Sequence, residues 1–318
     1  MRSLVALNYH YFTEGHTTSY LEVNRDVADR QFQSLRGTFS FSPARQVLGS
    51  IFRGEQGGDR PEVIITIDDG CASFELIRPL IEKYQIPVVL FVPLGLCLET
   101  DELDGLRSRC LRLYQEINRS QDQVQSLGAA EFFQMLMASD GGQLRALEDR
   151  FRRLPSRPDL ISTRKLFSSA DLRLLATHPL VTLAPHSMSH QALGRLPSDW
   201  MEWEVAKSCE YITALGGDPE LFAYPYGDPT SFNPQCTRAL SASGSLFAFT
   251  TLCYRISKTC HKLMLGRAPV FNDSSAHYIL GTAAGALECY DTFRHGKRLY
   301  EACTNSHECL QFPDPVSK

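Results

Sequence analysis

The segment Thr66-Ile67-Asp68-Asp69-Gly70 places two adjacent carboxylates directly behind the apolar run Val63–Ile67. Successive residues of a strand point to opposite faces, so neighbouring acids at its end can do different work side by side. The C-terminal ends of parallel strands are where barrel enzymes hold their chemistry, and Gly70 lets the chain turn away at once. Read alone, the same pair also fits two solvated turn acids, or Asp69 capping a helix that starts near Ser73. About 115 positions later comes Ala184-Pro185-His186-Ser187-Met188-Ser189-His190, again behind an apolar strand. Histidines at i and i+4 can project to one side of a helical turn and share one divalent ion. Two imidazoles and one carboxylate make a facial triad with open positions for water and substrate. The plainer alternative is a pair of helix-start histidines bonded to backbone.

A third segment, Phe222-Ala223-Tyr224-Pro225-Tyr226-Gly227, also closes a predicted strand. Pro225 fixes φ and Gly227 permits a turn, so the Tyr226 backbone N–H can be held rigidly towards a reacting group. An aromatic turn that only packs the core is the competing reading.

These segments need strands to carry them. β-Rich runs stand at Leu4–Tyr9, Val63–Ile67, Val88–Val92 and Val181–Ala184, with further strands expected near Leu221–Tyr224, Leu246–Phe249 and Leu263–Leu265. Amphipathic patterns alternate with them: Val27, Phe32 and Leu35 behind the N-cap candidate Asn24; Phe74, Ile77, Leu80 and Ile81; and Trp203 to Leu215. Strands alternating with helices argue for a parallel α/β sheet or barrel. Gly37–Arg60 reads as a long loop. Residues 97–167 read as a helical insertion, a lid or an interface, within a single domain spanning residues 1–318, and 275–318 as a C-terminal helical tail.

Composition bounds the rest. Hydrophobic residues make up 43% and charged residues 21% of 318, which excludes a disordered or collagen-like chain. Thirty-two Lys and Arg against 36 Asp and Glu give a net charge of -4, so neither nucleic acid nor an anionic membrane is an expected partner. The apolar run Leu4–Leu7 is too short for a signal-peptide core, and Ile86–Leu98 carries Pro87, Pro93 and Gly95 and is too short to span a bilayer. A cytoplasmic protein is expected. Its 10 cysteines contain no C-x-x-C pair and read as reduced, packed thiols, and Cys303, His307 and Cys309 match no familiar zinc module.

Taken together and in order, the three segments resemble the motifs of the polysaccharide deacetylase family, carbohydrate esterase family 4. T-F-D-D-G is written here Thr66–Gly70, H-[ST]-x-x-H is His186–His190, and R-x-P-[YF]-G is Ala223–Gly227, in the FAYPYG form of one branch. The resemblance covers roughly Leu4 to Phe271. It implies an α/β fold, a distorted (β/α)7 barrel, and removal of acyl groups with a divalent metal. By matching position it makes Asp69, His186 and His190 the metal ligands, Asp68 the catalytic base and the Tyr226 N–H a donor to the oxyanion. The metal would be Zn2+ first, with Co2+, Ni2+ or Mn2+ as alternatives. The chemistry is coherent, because bound zinc lowers the pKa of a water to near 7, where a carboxylate can take its proton.

Two departures from the family pattern set further expectations. Ala223 stands where many members carry an arginine that contacts the catalytic aspartate; Arg267 is expected to replace it from a later strand, against the alternative of a surface arginine. The family's late L-x-H histidine has no counterpart, leaving His10 and His261 as substitutes. The resulting expectation is a metal-dependent hydrolase that removes an N-acyl group, most simply N-acetyl, from a sugar or sugar-like small molecule. The rival expectations are hydrolysis of a non-sugar C–N bond (a formamide or cyclic amide) and an inactive barrel that binds glycan or a partner protein. A homo-oligomer built through the insertion is also allowed.

Overall fold

Parallel strands buried on both faces need runs of apolar and β-branched residues rather than alternation with polar ones. The computed structural model, which describes residues 3–98, 102–120, 128–275 and 278–279, turns such runs into a ring of seven short strands in chain order. They are β1 (Ser3–Tyr9), β2 (Glu62–Ile67), β3 (Val88–Val92), β4 (Val181–Pro185), β5 (Leu221–Ala223), β6 (Phe247–Phe249) and β7 (Ala268–Pro269). Parallel ladders join β1 to β2 (Val5↔Val63 through Tyr9↔Ile67), β2 to β3, β3 to β4, β5 to β6, and β7 back to β1 (Leu7↔Ala268). Two seams lack a ladder, so the barrel is distorted and open in its hydrogen bonding. Scattered backbone bonds cross them instead: Asp218 N to Leu183 O at 2.8 Å just before β5, and, between β6 and the stretch leading into β7, Ala248 N to Lys262 O at 2.9 Å, Leu265 N to Ala248 O at 2.7 Å and Thr250 N to Leu265 O at 2.8 Å. Pro185, which has no N–H, ends β4 at the first seam.

Helices cover the ring: α1 (Arg25–Thr38), α2 (Ala44–Phe52), α3 (Arg78–Tyr84), α4 (Leu103–Ser120), α5 (Ala129–Ala138), α6 (Gly141–Phe151), α7 (Ser169–Ala176), α8 (Ser198–Ala214) and α9 (Pro234–Ala242). The Asn24 side chain caps α1 by accepting from Asp26 N at 2.9 Å. Strand alternation divides the core. Val5, Leu7, Tyr9, Val63, Ile65 and Ile67 pack outward with Phe32 and Leu35 of α1 and Leu80 and Ile81 of α3. Leu4, Ala6, Ile64, Val89 and Phe91 form the second cluster with Phe222 and Phe249. The same period carries Asn8, Thr66 and Asp68 onto the face of this second cluster, at the end where β1 and β2 finish. Between β3 and β4, helices α4 to α6 build a small core of their own around Leu106, Leu111, Phe132, Phe133 and Leu144, closed by Trp200 of α8.

Two expectations are corrected. Gly37–Arg60 is not one long loop: Ser40–Phe41 pairs with β2, and α2 follows Pro43, burying Val47, Leu48 and Ile51 against the sheet. The Gly, Ser and Pro of this stretch mask a short apolar face. The strand expected at Leu263–Leu265 reduces to one bridge, Leu265 with Phe249, because Met264 is turned back onto His261 O at 3.0 Å. The strand that pairs with β1 forms later, at Ala268–Pro269. The Cys303, His307 and Cys309 group lies outside the described residues, as does the expected tail beyond Ile279. All seven described cysteines are free and buried. Among the described residues no helix is long and apolar enough to cross a membrane.

Candidate metal centre and catalytic pair

The ends of β1, β2, β4 and β7 and the turn after β5 surround a cavity of about 510 Å3. Asp68, Asp69, His186, His190, Tyr226 and Arg267 all line it, together with Asn8, His10 and Tyr11; His261 does not. The two carboxylates have separate surroundings. Asp68 continues the inward face of β2 and meets Arg267 in a two-pronged contact, Nη1 to Oδ1 at 2.6 Å and Nη2 to Oδ2 at 2.8 Å. The guanidinium is 1% exposed, so Arg267 is not a surface residue. Its Nε donates to Thr250 O at 2.9 Å, and its Nη1 also reaches Asn8 Oδ1 and Thr66 Oγ1. The planar fork suits such a buried carboxylate better than a lysine ammonium would. Burial alone would raise the Asp68 pKa, but the charge of Arg267, then those of His186 and His10, holds it below the usual carboxylate range.

Asp69 turns the other way, at φ 74. Its Oδ2 accepts the Tyr11 hydroxyl, and its Oδ1 lies 3.1 Å from His190 Nε2 and 3.5 Å from His186 Nε2. Ligand atoms of Asp69, His186 and His190 all fall within 4.8 Å of one another, and all three residues are buried. His186 Nδ1 is 2.7 Å from Ala223 O; a carbonyl only accepts, so that nitrogen carries a proton and Nε2 is the ring atom that faces Asp69. Burial lowers the His190 pKa to about 4, against the raising pull of Asp69. Asp69 itself stays well below the carboxylate range: burial works against ionisation, but His190 charge and the hydrogen bonds of His186 and His190 prevail. Two imidazole nitrogens and a carboxylate oxygen gathered this closely are a donor set that suits a divalent cation. His190 Nδ1 has no hydrogen-bond partner among the described residues.

Backbone strain concentrates here. Of the five described non-glycine residues at positive φ, four belong to the three segments: Asp69, Ser187, His190 and Tyr226, at 74°, 64°, 55° and 65°. The histidine turn is held by Glu204 of α8, a fully buried carboxylate. It accepts from Met188 N and Ser189 N, each at 2.8 Å, from Trp200 Nε1 at 3.0 Å, and from the Ser189 hydroxyl. In the third segment Gly227 is required by contact as well as by φ, since a Cβ there would stand 2.6 Å from Thr251 N. The Tyr226 ring packs 5.0 Å from that of His190, and its hydroxyl donates to Asp159 at 2.9 Å.

Sequence reading overlooked Asn8, Tyr11, Glu204 and Asp159. Asn8 had a signal, as a polar residue inside the buried run Leu4–Tyr9. The others are brought in from distant segments and had none.

No protein-family profile and no curated protein matches the chain. Solved structures do. The deacetylase PplD of Streptococcus pyogenes, solved in complex with acetate, is similar at a TM-score of 0.58 and 16% identity, over 88% of this chain and 98% of that one. IcaB from Ammonifex degensii gives 0.58 and 17% over 89% and 97%, and a de-N-acetylase from Aggregatibacter actinomycetemcomitans gives 0.58 and 14% over 88% and 99%. The chain therefore has the fold of the polysaccharide deacetylases.

Proposed function

We propose that this chain is a metal-dependent deacetylase of the polysaccharide deacetylase family that hydrolyses an N-acyl amide, most simply the N-acetyl group of a sugar or sugar-like metabolite. The observation that carries the reading is the Asp69–His186–His190 triad set beside the buried Asp68–Arg267 pair in one cavity of a deacetylase fold. Asp69, His186 and His190 would hold the ion, zinc before cobalt, nickel or manganese. When bound, such an ion supplies Lewis acidity and acidifies a water. The remaining work falls to the chain. Asp68, kept ionised by Arg267, takes the proton of the attacking water. The backbone N–H of Tyr226 donates to the developing oxyanion. His10 is the cavity's third imidazole; burial lowers its pKa, which makes its protonated form a stronger donor, and we assign it the leaving nitrogen.

The cavity volume suits a small molecule rather than a bulky partner. The free, buried cysteines fit a reducing, cytoplasmic setting. The deciding experiment strips the protein with chelator, verifies metal removal, reloads it with each ion and measures acetate release from a panel of N-acetylated sugars. The reading requires activity that disappears with the metal and returns on reloading. Hydrolysis undiminished in verified metal-free protein would refute it.

A further inference from the structure

Helix α4 carries Arg112, whose guanidinium is buried. Elements from three parts of the chain converge on it. Nη1 donates to the main-chain carbonyl of His190 at 3.0 Å. Nη2 forms an ion pair with Asp159, on the stretch leading back towards β4. Nε donates to Ser162 Oγ at 3.2 Å and lies 3.3 Å from Glu116 Oε1, which also accepts from Ser162. Asp159 in turn accepts the Tyr226 hydroxyl, and both Asp159 and Tyr226 line the cavity. One buried cation thus touches the backbone of a candidate metal ligand and, through a single carboxylate, the ring that packs against it.

We propose that Arg112 is a positioning residue of the metal centre, so that α4 and the 159–162 stretch are part of the site rather than a detachable lid. The inference rests on the metal reading above. His190 sits at φ 55, a conformation that persists only where its surroundings over-determine it. Two partners do so: Ser187 Oγ accepts from His190 N at 3.0 Å, and Arg112 holds the carbonyl. Lysine could not replace the fork, since a single ammonium cannot hold His190 O, Asp159 and Ser162 in one plane.

The test measures metal affinity directly, by Zn2+ competition against a chromophoric chelator, alongside KM and thermal unfolding. Arg112→Lys should fold and bind Zn2+ about 10–100-fold more weakly, the effect typical of groups that orient a ligand. Arg109→Lys, on the same helix but paired with Glu148, is the control and should keep parent affinity. Tyr226→Phe should keep parent affinity and raise KM, because it cuts only the Asp159 branch. A folded Arg112→Lys with parent affinity overturns the proposal. If Arg112→Lys fails to fold, Asp159→Asn decides: weakened affinity or raised KM supports the proposal, and parent values in both overturn it. A parent protein that binds no Zn2+ at all would instead sink the metal reading itself.

Discussion

Replacing Arg267 by methionine tests the site at its electrostatic centre. The perturbation removes both charge-assisted bonds to Asp68 and leaves a carboxylate whose side chain is 3% exposed with Asn8 Nδ2, at 3.3 Å, as a weak remaining donor. Breaking a buried ion pair in this way costs about 3–5 kcal/mol, because one charge stays buried without its partner. The sign with pH follows from Asp68. In the parent its pKa is depressed, so its contribution to stability is present above the unfolded value of about 3.9 and is lost as pH falls through the folded value. Without the guanidinium, burial dominates and the folded pKa rises above the unfolded one. The stability deficit of Arg267→Met should therefore be large at pH 7 and shrink on acidification, as Asp68 takes up a proton. Urea unfolding of metal-free parent and variant between pH 5 and pH 8 would measure it. In catalysis, the acidic limb of kcat/KM should move to higher pH and the plateau should fall, with metal content unchanged. Combining Arg267→Met with Asp68→Asn should cost little more than Asp68→Asn alone. An unmoved acidic limb, a pH-independent deficit and additive losses would refute the argument.

Asp69→Ala, His186→Ala and His190→Ala should each lower bound metal in a folded barrel, by elemental analysis and circular dichroism, whereas Asp68→Asn should keep its metal and lose about 10²–10⁴-fold in rate; the reverse pattern would exchange the two aspartates. His190, neutral when folded, has a pKa lowered from 6.5 to about 4, so its stability contribution is present above 6.5 and drains away down to about 4. That interval is worth about 3 kcal/mol in the metal-free protein, and His190→Gln should flatten that part of the stability profile. Gly227→Ala should destabilise the turn by about 1–3 kcal/mol and depress kcat, since both its φ of 64° and the approach of Thr251 N exclude a Cβ. His10→Ala should lower kcat for a substrate with a poor amine leaving group more than for one with an activated leaving group; equal losses would remove it from the proton-transfer role.

Much of the fold and site was legible because the chemistry sits in short contiguous strings at strand ends. The runs Leu4–Tyr9, Val63–Ile67, Val88–Val92 and Val181–Ala184 become β1 to β4 almost residue for residue, since strands buried on both faces leave little room for ambiguity. Helix α2 was hidden because its buried apolar face is short, Ala44, Val47, Leu48 and Ile51, set among Gly, Ser and Pro. Leu263–Leu265 misled because an apolar triplet in a turn looks like one in a strand. The supports of the site were illegible for a different reason. Tyr11 reaches Asp69 across 58 positions and Arg112 reaches His190 across 78, and only tertiary packing makes them neighbours. Nothing in the sequence sets Glu204 apart from the other acids of α8; its place beneath the histidine turn comes from packing alone.

The route by which the guanidinium arrives has an evolutionary corollary. Arg267 enters beside β7, on the flank of β1, and the alanine at position 223 gives its carbonyl to His186. Residue 223 is fully buried, as are its neighbours Phe222 and Tyr224. Under the proposed function, arginines at 223 and at 267 would be alternatives for one job. Among descendants of a common ancestor, a large cation at 223 and one at 267 should replace each other and not coexist. Passage from one arrangement to the other must go through a chain in which Asp68 lacks its counter-ion, or through one that carries both arginines. Such a barrier tends to keep lineages on one side or the other, and an alignment of relatives should divide cleanly at this pair of columns.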